Sequence, residues 1–174
     1  MTGSDPSEWR DETQADGDGL PEEGTDPGAS SGPRAIVVAL DFSPPAQRAL
    51  AWALDHAVAG DELHLVHVVE RRWRLADLRP GAGEVTRELA EVEALAAAEL
   101  RRHAEAARGR VPRIHEHVAV GRPADELVRL AGELGAHAVV IGSHGHDAVS
   151  RLFVGSVAER VVRAAPCTVV VVKP

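Results

Sequence analysis

Five short apolar runs rich in valine, isoleucine and leucine recur along the chain, separated by longer amphipathic stretches. Runs of this length bounded by glycine, proline or polar residues are typical of β-strands. The first run lacks polar alternation, as expected of a central parallel strand covered on both faces, whereas the third alternates and is expected at a sheet edge. The predicted strands are Arg34–Leu40, Leu63–Val69, Arg113–Val120, Ala138–Ile141 and Thr168–Val172.

Four of the intervals between these runs carry apolar residues at helical spacing. Ser43 is a favourable N-cap, and Pro44 suits the first helical position. Alternation of strand and helix predicts an α/β fold with one doubly wound parallel sheet and right-handed crossovers. The sequence does not predict a defined secondary structure for the connection Glu70–Gly83. The predicted helices run from Pro44 to Gly60, over Glu84–Arg108, from Pro123 to Gly135 and from Gly155 to Pro166.

Charge divides the 174-residue chain into two parts, because residues 1–33 hold nine acids and one base. This segment has few large apolar groups, so it is predicted to be a disordered acidic tail. The predicted domain, residues 34–174, then holds 18 of the 27 acids and 18 of the 19 bases, and a neutral body argues against nucleic acid.

The remaining composition predicts a cytoplasmic protein. No apolar run reaches the roughly 18 residues of a membrane span, and the start of the chain does not read as a signal peptide. A single cysteine, Cys167, excludes an internal disulfide; beside an apolar run it is expected to be a buried small hydrophobe.

The stretch after the fourth strand is predicted to bind an anion. Gly142 and Gly145 follow the strand, and Gly155-Ser156 opens the last helix after nine intervening residues. Small residues let backbone N–H groups approach an anion, and a helix N-terminus adds unpaired donors and partial positive charge. A tight connection without a ligand is the alternative interpretation.

Several motifs in order resemble the universal stress protein family. The glycine spacing is similar to that family's nucleotide-binding signature, and so are Ala39-Leu40-Asp41-Phe42-Ser43, His67-Val68 and Gly121-Arg122-Pro123. The resemblance covers residues 34–174. It implies an adenine nucleotide α-hydrolase-like fold with strand order 3-2-1-4-5, whose first and fourth strands border the ligand crevice.

The resemblance also implies ATP as ligand, with Mg²⁺ or Mn²⁺ carried by the nucleotide. Asp41 would meet the adenine and Val68 would pack on it, while the glycines and Ser156 would hold ribose and phosphates. For Asp41, a role in the turn before Ser43 is the alternative. The implied binding residues are Ala39, Asp41, Val68, Gly142, Ser143, His144, Gly145, His146, Gly155, Ser156 and Val157.

Two residues depart from the family pattern. His146 stands where arginine is frequent, and Ala148 stands where a further glycine is common. The first loses a permanent cation near the phosphates, and the second removes loop freedom, so weaker, pH-dependent or absent binding are alternatives.

Catalysis is not expected, since no Walker lysine, nucleophile elbow or recognisable Cys/His pair occurs. His144, His146 and Arg151 are the only loop candidates for slow ATP hydrolysis. The resemblance thus implies an ATP-binding sensor; a module that only dimerises or binds an unknown protein partner, and a slow ATPase, are the alternatives.

The nine histidines raise the question of a metal site. His115 and His117 share a strand face, and His144 and His146 flank Gly145, but neither pair has a cysteine or carboxylate at ligand spacing, so no metal site is predicted. His67 is expected to be a satisfied core histidine. The resemblance finally implies a homodimer through strand 168–172, and a monomer whose Lys173-Pro174 end blocks pairing is the alternative.

Overall fold

The computed structural model describes residues 33–70, 82–111, 113–144 and 155–173. They belong to one compact unit, Ser31–Pro174. Nearly all of the predicted acidic tail, most of the connection after Glu70, and Gly145, His146, Ala148 and Arg151 lie outside the described residues.

Strands and helices alternate as predicted from the hydrophobic pattern. Boundaries differ from the prediction by one to a few residues: β2 is longer because its pairing extends to the polar residues Glu62 and Glu70, whereas α1 is shorter and ends at His56. In chain order, the elements are β1 (Ala35–Ala39), α1 (Pro44–His56), β2 (Glu62–Glu70), α2 (Ala82–Ala107), β3 (Arg113–Gly121), α3 (Pro123–Glu133), β4 (Ala138–Gly142), α4 (Ser156–Ala164) and β5 (Thr168–Val172).

The described strands form one parallel sheet in the order β3-β2-β1-β4-β5, which confirms the predicted topology. Val38 in the middle of β1 pairs with Leu65 on one side and Val140 on the other. β1 and β4 are therefore adjacent although about 100 residues separate them in the chain. β3 is at one edge, as expected, and β5 is at the other.

Both faces of the sheet are covered, so apolar side chains of either parity are buried. Val38, Leu63 and Leu65 pack on one face against α1 and α2, together with Leu100. Val37 points to the opposite face, against α3 and α4. Cys167 is only partly buried, packs against this second cluster, and has a thiol pKa raised by desolvation. Of the helices that the structure describes, none is both long enough and apolar enough to cross a membrane.

The predicted stops and caps have local physical causes. Ser43 caps α1, its Oγ accepting a hydrogen bond from the Ala46 N–H at 3.4 Å. Gly60 follows α1 with φ at +99° and Gly135 follows α3 at +56°, a region that residues with a Cβ rarely enter. α1 itself ends at His56 with the extended Ala57 as its C-cap, so the predicted stop at Gly60 was wrong, and Gly60 instead turns the chain toward β2. Gly135 directly follows the C-cap of α3 and turns the chain toward β4.

A buried ion pair joins the start of β1 to the turn before β2. Asp61 is 2% exposed and accepts hydrogen bonds from Arg34 Nε at 2.8 Å and Nη2 at 2.7 Å. Its Oδ2 also accepts from the Val58 N–H at 2.9 Å. The guanidinium hydrogen bond holds the pKa of Asp61 below its usual value, and burial opposes this shift only in part.

The depressed pKa predicts acid-sensitive stabilisation by Asp61. Because the pKa of Asp61 is lower in the folded state than in the unfolded chain, its ionised form stabilises the fold at pH values above the unfolded-state pKa near 4. This stabilisation is lost as the pH falls through the folded-state pKa. The Asp61→Asn substitution breaks the ion pair, but the Arg34 side chain is one-third exposed, so water solvates part of the unpaired guanidinium. We therefore expect the substitution to lower the free energy of unfolding by about 2 kcal/mol at pH 7. Urea unfolding at pH 7 and pH 3 should show the gap from wild type narrowing in acid.

A matched control is Asp55→Asn, since Asp55 forms its ion pair with Arg110 in an exposed position. We expect this variant to stay within about 0.5 kcal/mol of wild type. If the free energies of unfolding of wild type and Asp61→Asn differed by the same amount at pH 7 and pH 3, the acid-sensitive role of Asp61 would be contradicted.

Candidate functional site

The candidate site lies where the carboxyl ends of β1 and β4 meet. Within the sheet, β2 is the neighbour of β1 on one side and β4 is its neighbour on the other side. The connections after β1 and β4 therefore diverge, which opens a crevice at this edge in sheets of this kind.

A tight turn follows β1 and fixes Asp41. Its Oδ1 accepts hydrogen bonds from the Ser43 backbone N–H at 3.0 Å and the Ser43 hydroxyl at 2.5 Å. The turn role that the sequence offered as an alternative for Asp41 is thus realised. Its predicted contact with adenine remains a prediction.

Phe42, within this turn, has a left-handed backbone with φ at +63°. For a residue with a Cβ this conformation costs roughly 1–2 kcal/mol. The Phe42 ring stacks on His67 at a centroid distance of 4.4 Å and lies 5.5 Å from the ring of His103. These ring contacts help to offset the strain and hold the turn over β2.

His67 ties the end of β1 to β2. Its Nδ1 lies 2.7 Å from the Leu40 carbonyl oxygen, so Nδ1 carries the hydrogen and donates it. The Leu40 N–H in turn donates to the Val66 carbonyl at 2.8 Å. The expected hydrogen bond of this histidine is confirmed, but His67 is only partly buried and does not belong to the core.

Gly142 at the end of β4 is required by packing. A Cβ at this position would lie 2.8 Å from the carbonyl carbon and 2.9 Å from the Cβ of Pro45. No side chain fits there without moving the start of α1. Sequence reasoning assigned this glycine to the nucleotide and missed its contact with Pro45, which arises only when β4 and β1 are neighbours.

Internal hydrogen bonds fix Ser143 and His144, the two residues after Gly142. Ser143 is 1% exposed, and its N–H donates to the Val172 carbonyl of β5 at 2.8 Å. Its Oγ lies 2.8 Å from Nδ1 of His144. The Ser143 side chain therefore braces the loop.

His144 offers a polar atom that these contacts leave unused. Its Nε2 is buried and has no hydrogen-bond partner within the described part of the chain. A buried polar atom without a partner is costly, which makes this nitrogen a candidate ligand contact.

The first turn of α4 is brought beside the end of β4. The Gly155 N–H donates to the Ser143 carbonyl at 2.7 Å, and a Cβ on Gly155 would lie 3.3 Å from that oxygen. Gly155 is the N-cap and provides no side-chain hydrogen bond, while Ser156 is exposed. The amino end of α4 thus presents backbone donors without a side-chain cap.

An apolar surface extends from this helix end toward β2. Ala39, Val68 and Val157 belong to the cluster on the α3 and α4 face, and the last two are only partly buried. Of the predicted site residues within the described ranges, the structure thus brings together two groups. Ser143, His144 and Gly155 form the polar group, and Ala39, Val68 and Val157 form the apolar group.

Comparison with known proteins identifies the family. A family model described as the universal stress protein family matches residues 33–173. The chain belongs to the universal stress protein family. A universal stress protein of Thermus aquaticus is 36% identical over 141 residues, covering 80% of this chain and 98% of the relative. One of Methanocaldococcus jannaschii is 32% identical over 139 residues, covering 79% and 81%.

Solved structures of universal stress proteins share the fold. UspA of Lactobacillus plantarum aligns with a TM-score of 0.70 at 27% identity, covering 82% of this chain and 99% of that one. The universal stress protein of Archaeoglobus fulgidus in complex with dAMP aligns with a TM-score of 0.51 at 26% identity, covering 81% and 98%.

The contact between Gly142 and Pro45 predicts a stability defect. We expect Gly142→Ala to destabilise the protein by about 2 kcal/mol through overpacking against backbone. The matched control is Gly132→Ala, because Gly132 is exposed in α3 with its nearest neighbour 4.0 Å away. Alanine there should be neutral or stabilising by up to about 1 kcal/mol. Equal urea midpoints for the two variants would show that the contact is unimportant.

Proposed function

We propose that this universal stress protein binds an adenine nucleotide between β1 and β4, with its phosphates at the amino end of α4. The observation that carries the proposal is the glycine-capped start of α4 next to Ser143 and His144. An anion there would receive backbone N–H donors and the favourable end of the helix dipole.

The same arrangement provides partners for the rest of the nucleotide. Val68 and Val157 offer a partly buried apolar surface for the base, and Asp41 lies beyond the end of β1 as a hydrogen-bond acceptor for the exocyclic amine of adenine. The Archaeoglobus fulgidus relative in complex with dAMP supports an adenine nucleotide as the ligand class.

ATP is the proposed form of the nucleotide, with Mg²⁺ or Mn²⁺ carried by its phosphates. The protein would act in the cytoplasm as a nucleotide-dependent regulator of the stress response, passing the bound state to a protein partner. The His144 Nε2, which is buried and has no hydrogen-bond partner among the described residues, would contact the bound nucleotide. In this proposal the site holds ATP and does not turn it over efficiently.

Substitution of Ser156 tests the phosphate position without disturbing the fold. Aspartate at the first position of α4 suits the helix dipole, yet its charge would oppose a phosphate. We expect Ser156→Asp to weaken ATP binding about tenfold or more, while the neutral, similarly sized Ser156→Asn retains most of the affinity. Calorimetric titration with ATP and Mg²⁺ gives both dissociation constants, and equal values would refute the assignment.

The homodimer through β5 is also proposed. β5 pairs with β4 along one edge, and the described residues place no strand along its other edge. The valines of β5 are partly exposed there, and such an edge favours pairing with another strand. Light scattering at micromolar concentration should give twice the mass of the chain. A monomer mass would overturn the dimer.

A further inference from the structure

Four chemically reactive side chains meet at the opposite end of the sheet from the candidate nucleotide site. Glu62 and His64 are two positions apart on β2, and His115 and His117 are two positions apart on the neighbouring strand β3, so each pair lies on one face of its strand. Because His64 pairs in register with both Val37 and His115, these side chains share the face covered by α3 and α4. Glu62, His64 and His115 lie toward the amino ends of their strands, and His117 lies in the middle of β3.

Three of these residues bring ligand atoms close together. One donor atom each of Glu62, His64 and His115 lies within 4.8 Å of the other two. The His115 Nε2 and Glu62 Oε2 are 3.1 Å apart. Tetrahedral zinc with bonds of about 2.0–2.1 Å needs ligand atoms roughly 3.3 Å apart, so small side-chain movements suffice.

Neighbouring groups hold these ligands in place. Arg113 donates a hydrogen bond to Glu62 Oε1 and leaves Oε2 directed at His115. The rings of His64 and His115 stack with centroids 4.6 Å apart. His64 Nδ1 is 2.9 Å from His117 Nε2, so one ring donates to the other. Outer hydrogen bonds of this kind orient metal-binding histidines and fix the tautomer.

The protonation states at neutral pH suit a cation. Burial, with smaller contributions from His115 and His117, lowers the pKa of His64 to about 4. Burial also lowers the pKa of His117, and the hydrogen bond from Arg113 lowers the pKa of Glu62. Metal ions bind the neutral form of an imidazole and the ionised form of a carboxylate, so the lowered pKa values of His64 and Glu62 are compatible with the geometry described above.

We propose that Glu62, His64 and His115 form a binding site for a divalent transition-metal ion of the zinc type. Imidazole nitrogens with one carboxylate favour Zn²⁺ over Mg²⁺ or Ca²⁺, and water completes the coordination. His117 is a positioning residue that orients His64. The His115 side chain is 45% exposed at the edge strand, so an ion reaches the site from solvent. This site is separate from the metal that a nucleotide would carry.

The test is a titration of the full, tag-free and nucleotide-free chain with Zn²⁺ by calorimetry. We expect one equivalent to bind and His115→Ala and Glu62→Gln each to weaken binding at least about tenfold. The control His56→Ala removes an exposed histidine of α1 that stacks on Trp52, and should leave binding unchanged. Zn²⁺ should raise the melting temperature of wild type and of the control by the same amount, and that of both site variants by less.

Two results overturn the site. One is the absence of Zn²⁺ binding to wild type, with no rise in its melting temperature when Zn²⁺ is in excess over the chain. The other is wild-type affinity in both His115→Ala and Glu62→Gln, which would assign the bound ion to other groups. If one site variant fails to fold by circular dichroism, the other decides the outcome.

Discussion

The close backbone approach of Gly142 to Pro45 is the constraint on which the candidate site depends. It lets β4 end against the start of α1, with no side chain between the two. The chain after β4 can then proceed through Ser143 and His144 to meet the N-cap of α4. A larger residue at position 142 would separate the β1 and β4 connections and widen the crevice.

Much of the fold was predictable because its signals are local. Uninterrupted apolar runs marked strands covered on both faces, and Ser43 and Gly135 marked helix ends through capping and positive φ. The strand order followed from the resemblance to a family, since periodicity alone does not specify which strands are neighbours. The sheet order and the adjacency of β1 and β4 agree with that expectation.

Features of the site that depend on tertiary contacts were not predictable. Nothing in the sequence indicates that Phe42 adopts a positive φ, or that Gly142 is required by Pro45. The carboxylate of Glu62 was missed for the same reason. It lies on a different strand from His115, so ligand spacing within one segment could not reveal a pair formed by sheet register.

The two ends of the sheet have different chemistry. Backbone donors and an apolar surface lie at the carboxyl ends of β1 and β4, whereas imidazoles and a carboxylate lie at the amino ends of β2 and β3. The buried Asp61–Arg34 pair lies at the second end as well and anchors the start of β1 to the turn before β2. Ligands at the two proposed sites would therefore bind at opposite ends of the strands of one sheet.

The central claim is that a phosphate group, held at the amino end of α4, anchors an adenine nucleotide. Parallel calorimetric titrations of the full chain with AMP and with adenosine test it most directly, because the two ligands differ only in that group. We expect saturable binding of AMP and an affinity for adenosine at least about tenfold lower, because the charge-assisted contact to the phosphate is lost. Equal affinities, or no binding of AMP, would contradict it.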